Sequence, residues 1–183
     1  GIGLAYKPEE QEIDIEAFGR EASEKFAKFC TDYGRELTLM MEPGRYIVGH
    51  AGHLLAEVNT LKKRSDGRTF AGLNTGYHHL VRPMTYGSYH PIVNVSNPDG
   101  EERKYDVAGN ICESGDLFAR ERMISEIREY DILDIQMTGA SGFVMANHYH
   151  LRPLPPEIVV DGERVIVSRE RERFEEIIKP YGL

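Results

Sequence analysis

The sequence predicts an α/β segment over residues 1–52, followed by an all-β domain over residues 53–183. Two observations predict this division. The first segment combines a helix-period stretch with a short apolar run that lacks alternation, which is typical of a strand buried on both faces. The remainder holds several short strand-like runs that are separated by turns containing Asp-Gly. The composition changes near Gly52, where we place the boundary.

In the α/β segment, a helix is predicted over residues 14–33, with Asp14 as its N-cap and Gly34 at its end. The run ELTLMM at 36–41 predicts a buried parallel strand, and Gly44 begins another helical stretch directly after it. About 50 residues bury too little surface to form such a unit alone. We therefore expect that the chain is a fragment or that another polypeptide completes it. The apolar face of the first helix contains Ile15, Phe18, Ala22, Phe26, Phe29 and Tyr33.

The all-β domain is predicted from four runs of the sequence. Two strands surround the turn at residues 65–67, and two more surround Pro98-Asp99-Gly100. Residues 130–137 predict a further strand, and residues 157–168 predict a hairpin that turns at Asp161-Gly162. A short charged helix is predicted over residues 169–182.

The charge and cysteine content exclude several classes of protein. The chain carries 22 Lys and Arg against 30 Asp and Glu, a net charge of −8, so it has no basic surface for nucleic acid. No apolar run approaches the roughly 18 residues that suggest a membrane span. Cys30 and Cys112 cannot form a disulfide framework, and Cys30 lies in a helical stretch, where we expect it to be buried. We expect a reduced, cytoplasmic protein.

Two glycine-containing turns predict a phosphate site. Gly1-x-Gly3 and the run Glu42-Pro43-Gly44-Arg45 would each follow a strand and precede a helix. Glycine allows backbone N–H groups to approach an anion closely, and a helix N-terminus favours negative charge. Gly1-x-Gly3 alone is more typical of an ordinary turn than of a phosphate site. The two turns together, at this separation, favour a phosphate site at the end of a (β/α)8 barrel.

Two further segments contain candidate binding or catalytic residues. Arg82 could hold a carboxylate with its planar guanidinium, and Tyr86 could reach the same ligand if the segment turns. The alternative is a surface arginine among packed aromatic residues. In NICESGD, Cys112 could carry a proton and Glu113 could bind an ammonium group. The alternative is a buried cysteine next to the turn Ser114-Gly115-Asp116.

The seven histidines do not predict a metal site. His148 and His150 would lie on one face only if they belonged to a strand, and no Cys-x-x-Cys or His-Glu-x-x-His accompanies them. We expect no bound metal.

Taken in order, these motifs resemble the C-terminal half of the diaminopimelate decarboxylases and their relatives. These are pyridoxal-phosphate enzymes with the alanine racemase/ornithine decarboxylase fold. The resemblance covers nearly all of the chain: the glycine turn, EPGR, RPxxY, CESGD and GASGFVMANHYHLRP, followed by a strand hairpin. The motif CESGD favours the diaminopimelate branch. The resemblance implies the last part of a (β/α)8 barrel, followed by a C-terminal β-barrel or sandwich domain.

The resemblance also implies roles for individual residues. Gly1, Gly3 and the run Glu42–Arg45 would hold the phosphate of pyridoxal phosphate, and Arg45 would also reach the substrate. Arg82 and Tyr86 would bind a substrate carboxylate. In a homodimer with shared active sites, Cys112 would donate a proton at the partner's site. Glu113 would recognise the distal amino group of a diamino acid there.

Two departures from the family pattern leave alternatives open. The family lysine that binds the cofactor lies on an early barrel strand, and neither Lys62 nor Lys63 has a matching context, so the chain alone should be inactive. Ser141 stands where relatives usually carry a tyrosine that contacts the cofactor, and His148 and His150 stand where asparagines are common. The alternatives are a decarboxylase of another basic or carrier-linked amino acid and a non-catalytic regulatory subunit.

Overall fold

The structure, a computed structural model, describes residues 1–182. Its centre is a six-stranded mixed sheet with the order β3-β6-β1-β2-β4-β5. The β2–β4 pair is parallel, and all other neighbours in the sheet are antiparallel. The six strands are β1 (His53–Lys63), β2 (Thr69–Leu73), β3 (Ile92–Asn94), β4 (Glu102–Ala108), β5 (Leu117–Ser125) and β6 (Ile132–Gln136).

The two edge strands approach each other, so the sheet is nearly closed. Arg122 on β5 donates from Nη1 to the carbonyl of His90, just before β3, at 2.8 Å. Asn94 on β3 donates from Nδ2 to the carbonyl of Glu126, just after β5, at 2.8 Å. Closure covers strand edges and surrounds one apolar core. The core includes Val58, Leu73, Leu80, Val107, Leu133 and Ile135, which are all almost fully buried.

The predicted strands of the β-domain are present, but the strands on either side of one predicted turn do not pair with each other. The turn at residues 65–67 joins β1 and β2 as a hairpin, as expected. The strands on either side of Pro98-Asp99-Gly100 do not pair with each other, because β3 pairs with β6 and β4 pairs with β2 and β5. The sequence analysis also missed β5. Its alternation is interrupted at Glu121, whose φ of 46° lies in the left-handed region.

Helix α1 (Ile15–Tyr33) confirms the predicted helix and its caps. The Asp14 side chain accepts from the N–H of Ala17 at 2.9 Å, and Gly34 ends the helix with a φ of 75°. None of the helix residues is buried within the described chain, and Phe29 is 51% exposed. Cys30 is only partly buried, so the expectation that it is a core residue was wrong.

The predicted buried strand at 36–41 is absent from the described structure. This run is irregular and exposed, and Met40 is 86% exposed. A strand needs hydrogen bonds from a neighbouring strand, and residues 1–182 provide none beside this run. The prediction of a buried strand at 36–41 is therefore not confirmed by the described residues.

The predicted helical stretch after Gly44 is confirmed as α2 (Gly44–Val48), which a 3-10 turn over Gly49–Ala51 extends. Two backbone hydrogen bonds join this turn to the β-domain. The N–H of Gly139 donates to the carbonyl of Gly49 at 3.1 Å, and the N–H of Thr138 donates to the carbonyl of Gly52 at 2.9 Å. α2 therefore has a fixed position beside the sheet.

Three short elements complete the chain. Helix α3 (Arg82–Tyr86) lies between β2 and β3 and has a proline at its second residue. The predicted hairpin is confirmed as β7 (Glu157–Asp161) and β8 (Arg164–Arg169), and the predicted final helix as α4 (Phe174–Ile178). None of the helices within residues 1–182 has the length and apolar character that a bilayer crossing demands.

Candidate functional site

The residues predicted to hold a phosphate lie around one open cleft of about 400 Å³. Although Gly1 and Glu42 are 41 positions apart in the sequence, the folded chain brings their two segments together. Gly44 begins α2 beside this cleft. The cleft is lined by Gly1, Ile2, Gly3, Glu42, Pro43 and Arg45. The structure therefore gathers the two predicted turns, while their role in cofactor binding stays a prediction.

The segment after Gly3 fixes this cleft against the β-domain. The Leu4 side chain packs directly on Gly49, where any Cβ would overlap it. The Tyr6 ring lies 5.6 Å from the Arg82 guanidinium carbon and makes an edge-on contact with His90 at 5.4 Å between ring centroids. Through Tyr6, the glycine turn is connected to the segment that contains Arg82.

Arg82 is the most unusual charged residue of the structure. It is the first residue of α3 and is only 3% exposed. Nη2 donates to Ser88 Oγ at 3.3 Å, whereas the buried Nε has no acceptor within residues 1–182. Arg82 belongs to none of the ion pairs between arginines and acidic residues within residues 1–182. Burial of an uncompensated charge is costly, so the guanidinium is suited to receive an anion.

Tyr86 lies four residues after Arg82 on the same short helix. Its ring centroid is 6.0 Å from the guanidinium carbon of Arg82, and its side chain is 60% exposed. The turn that brings the two residues together is therefore present. Arg82 is buried, whereas Tyr86 faces outward.

His90 lies where the charges of the two predicted arginines meet. Its Nδ1–H donates to the carbonyl of Gln136 at 2.9 Å, and its buried Nε2 has no partner within the described residues. Burial lowers the pKa of His90, and the charges of Arg82, Arg122 and Arg45 lower it further. Arg45 and Arg82 therefore both lie within electrostatic reach of the His90 imidazole.

The Cys112 segment forms a loop whose end faces outward. Cys112 is exposed, so the alternative of a buried core cysteine is wrong. Glu113 Oε1 accepts from the N–H of Gly115 at 3.2 Å, and its Oε2 accepts from the Tyr149 hydroxyl at 3.4 Å. Within residues 1–182, Glu113 is bound by its own loop and by Tyr149 rather than by Arg82 or Tyr86.

Ser141 lies in a strained turn that follows the contact between α2 and the sheet. Its φ of 59° is in the left-handed region, which disfavours non-glycine residues. Gly139 and Gly142 flank it closely, and a Cβ on either would overlap backbone atoms of Val48 or Thr138. Ser141 is thus held near the end of α2, but it does not line the cleft that contains Arg45.

Several residues at these positions were missed by the sequence analysis. Tyr6 and Tyr149 each contact a predicted site residue, and His90 contacts Tyr6, but none of the three belongs to a recognisable short pattern. The one available signal was His90, which lies eight positions after Arg82 in the segment that had been singled out. Tyr6 and Tyr149 approach the site only through the fold.

Three of the histidines have structural partners that account for their positions. His148 pairs with Glu172 at 2.7 Å and His53 pairs with Asp134 at 2.9 Å. His79 is bonded to Thr75 at 2.8 Å and to the carbonyl of Pro153 at 3.0 Å. Within residues 1–182, no group of three or more His, Cys, Asp or Glu side chains could hold a metal ion.

The chain is similar to known proteins over most of its length. Residues 29–139 match the family described as pyridoxal-dependent decarboxylase, C-terminal sheet domain. The chain belongs to this family. The resemblance that the ordered motifs indicated is therefore confirmed, and the nearly closed mixed sheet is the family's C-terminal sheet domain.

Individual relatives agree with this assignment. The chain is 46% identical over 181 residues to a diaminopimelate decarboxylase of Methanothermobacter thermautotrophicus, a match that covers 98% of the chain and 42% of that relative. A crystal structure of the M. jannaschii diaminopimelate decarboxylase in complex with L-lysine matches with a TM-score of 0.90 and 29% identity, over 98% of this chain and 41% of that one. The structure of the Helicobacter pylori diaminopimelate decarboxylase with L-lysine matches with a TM-score of 0.86 and 30% identity. This match covers 100% of this chain and 44% of that one. The chain thus spans about two fifths of the length of these relatives.

Proposed function

We propose that this chain forms the C-terminal part of a pyridoxal-phosphate-dependent carboxy-lyase that converts meso-diaminopimelate to L-lysine and CO2. In this proposal, residues 1–52 end a (β/α)8 barrel whose earlier part carries the lysine that binds the cofactor. Residues 53–183 form the β-domain. The enzyme is a cytoplasmic homodimer with shared active sites and is active only with its barrel. Relatives named diaminopimelate decarboxylase and two structures with L-lysine support this substrate.

The single observation that carries the proposal is the buried guanidinium of Arg82. A cation that is 3% exposed, with an unpartnered Nε, needs an anion that the described chain does not supply. The substrate has two α-carboxylates, and a carboxylate can accept two parallel hydrogen bonds from arginine. The exposed Tyr86 hydroxyl would complete the binding of that carboxylate. This contact would fix the substrate relative to the bond that breaks.

The cleft beside Arg45 fits the phosphate of pyridoxal phosphate. Gly3 has no atom within 4 Å of its Cβ position, and Gly1 has only the Glu42 carbonyl, at 3.5 Å, so both backbones are open to a ligand. Arg45 contributes a positive charge to the same wall. Bound pyridoxal phosphate supplies an electron sink for the carbanion that CO2 loss leaves. Ser141 would contact the cofactor from the β-domain side.

The proposed role of Cys112 is to deliver the final proton. Cys112 is exposed, so its thiol can reach a ligand outside its own protomer's core. General acids act by transferring a proton at hydrogen-bond distance. Glu113 would bind the distal ammonium group, and Tyr149 holds one of its carboxylate oxygens. The pair would act at the partner's site, which accounts for a reactive pair placed on an outward loop.

The direct test uses the complete enzyme, with its barrel and pyridoxal phosphate. We expect the visible absorbance of bound cofactor and CO2 release from meso-diaminopimelate in preference to other diamino acids of either chirality. Arg82→Gln should lower kcat/KM about 100-fold, whereas Arg103→Gln, at an exposed arginine paired with Glu101 and Glu126, should leave it nearly unchanged. A preference for another basic or carrier-linked amino acid would correct the substrate. Failure to bind cofactor would instead support a regulatory subunit.

A further inference from the structure

The loop that carries Cys112 is closed on itself by its backbone. The N–H of Gly109 donates to the carbonyl of Asp116 at 2.9 Å, so the two ends of the loop are adjacent. Inside it, the N–H of Asp116 donates to the backbone carbonyl of Glu113 at 3.0 Å. The N–H of Glu113 donates to the backbone carbonyl of Ile111 at 2.9 Å. These bonds define a compact loop, but they do not fix its orientation relative to the rest of the protein.

The Asp116 carboxylate supplies the missing connection. It is 5% exposed, and its two oxygens accept from two different segments. Oδ2 accepts from the N–H of Ile111 at 3.0 Å, directly before Cys112, and Oδ1 accepts from the N–H of Tyr77 at 2.6 Å. One carboxylate therefore ties the catalytic loop to the segment that leads into α3.

The space around this carboxylate is restricted on two sides by glycine. A Cβ on Gly109 would overlap the carboxylate, and a Cβ on Gly76 would lie 2.9 Å from Oδ2. The unpartnered His78 Nδ1 and Asn110 Oδ1 lie 3.2 Å and 3.3 Å from that same Gly76 position. The carboxylate thus occupies a narrow polar slot in which a side chain on either glycine would collide with it.

The outer side of the loop is also supported. A Cβ on Gly115 would lie 2.8 Å from the Met84 methyl carbon, so the loop packs directly against α3. The slot and this contact together leave Cys112 at the exposed end of the loop.

We propose that Asp116 is a positioning residue that sets the direction of the Cys112 thiol and the Glu113 carboxylate by holding the backbone of Ile111 against Tyr77. This role rests on the proposed function, because it matters for catalysis only if the two side chains act on the substrate. Asp116 itself touches no substrate. An asparagine keeps one acceptor oxygen but presents an NH2 group to the other backbone N–H, so it cannot hold both segments.

The test compares Asp116→Asn with Asp106→Asn in the complete enzyme with pyridoxal phosphate. Asp106 is a matched control because it is 3% exposed and also accepts a backbone N–H, that of Glu121 at 2.7 Å, away from the loop. Hydrogen exchange of the peptides around Ile111 and Tyr77 is measured without substrate. Alkylation of Cys112 by iodoacetamide, followed by peptide mapping, reports the position of the thiol.

We expect exchange at Ile111 and Tyr77 to become at least tenfold faster in Asp116→Asn, with a clear change in the alkylation rate. The kcat for diaminopimelate should fall at least tenfold, while the visible absorbance of the cofactor is retained. The Asp106→Asn control should leave the loop and kcat within twofold of wild type. If Asp116→Asn does not fold, Gly76→Ala perturbs the same slot more mildly and should show the same pattern at smaller size.

Unchanged exchange and alkylation in the slot variants would overturn the positioning role, whatever the activity. A kcat that falls no further than in the control would overturn it as well. A wild-type enzyme that releases no CO2 would refute the proposed function instead. In that case, exchange and alkylation would still decide whether Asp116 holds the loop.

Discussion

The Asp116 slot and the Arg82 cluster both bury a charged group, but they satisfy it in opposite ways. The Asp116 carboxylate accepts two backbone N–H groups and lies close against two glycines. Around Arg82, three neighbouring side chains leave a buried polar atom without a partner: Tyr6 Oη, Arg82 Nε and His90 Nε2. Buried polar groups are normally paired. At the first centre the charged group itself accepts two N–H groups, although His78 Nδ1 and Asn110 Oδ1 beside it have no partner within residues 1–182. At the second centre the charged group itself keeps a donor free, which is what the proposed carboxylate site requires.

The largest effect is expected at Cys112, whose loop the Asp116 carboxylate is proposed to position. Cys112→Ala should lower the rate of decarboxylation about 10²- to 10⁴-fold, because general acid catalysis contributes that much. Cofactor absorbance and thermal stability should not change, since the side chain is exposed. Steady-state kinetics with a Cys30→Ala control checks this. Normal turnover by Cys112→Ala would reject the proton-donor role.

The next effect separates the two centres directly. Arg82→Met should reduce kcat/KM about 100-fold, since charge-assisted hydrogen bonds contribute about 1.5–3 kcal/mol each. Its free energy of unfolding should fall by less than about 1 kcal/mol or rise, because an unpaired buried charge is removed. Asp116→Leu should instead destabilise the protein by about 2–5 kcal/mol, because it leaves two N–H groups unsatisfied.

Urea unfolding of the complete enzyme, monitored together with kcat/KM, distinguishes these two outcomes. If both variants lost stability equally, the contrast between the two centres would not hold.

A third prediction concerns His78, whose unpartnered Nδ1 borders the Asp116 slot. Burial, followed by the charges of neighbouring groups, lowers the pKa of His78 to about 4. The unfolded chain binds a proton on His78 at higher pH than the folded chain does. The contribution of neutral His78 to the free energy of unfolding is therefore complete above pH 6.5 and is lost as the pH falls towards 4. The loss is at most about 3 kcal/mol.

His78→Gln should therefore reduce the decline in unfolding free energy over that pH range. Urea titrations at several pH values test it. The remaining decline would come from other groups, including His79 and His90, whose pKa values are also lowered by burial. Superimposable pH profiles for the variant and the wild type would contradict the prediction.

The smallest effect tests the shape of the slot. Gly109→Ala places a Cβ into the Asp116 carboxylate and should destabilise the protein by about 1–3 kcal/mol, as overpacking generally does. Gly19→Ala in α1 meets no atom within 4 Å and should stabilise the protein by roughly 0.5–1 kcal/mol. Thermal unfolding of the two variants gives the sign of each effect. A neutral Gly109→Ala would mean that the slot is wider than described.

The sequence by itself determined the local elements and the order of the motifs. Asp14 and Gly34 predicted both ends of α1, because capping depends on residues only a few positions apart. Asp-Gly turns predicted the hairpins at residues 65–67 and 161–162 for the same reason. The ordered motifs indicated the family, which the comparisons confirmed.

Only the tertiary structure decided which segments meet. The pairing of β4 with β2 rather than β3, the exposure of residues 36–41 and the approach of Tyr6 and His90 to Arg82 all depend on contacts between distant positions. The same holds for Asp116, whose importance lies in the N–H of Tyr77, 39 positions earlier. Local sequence specifies backbone preference within a few residues, whereas burial and hydrogen-bond partners are fixed when the whole chain has folded.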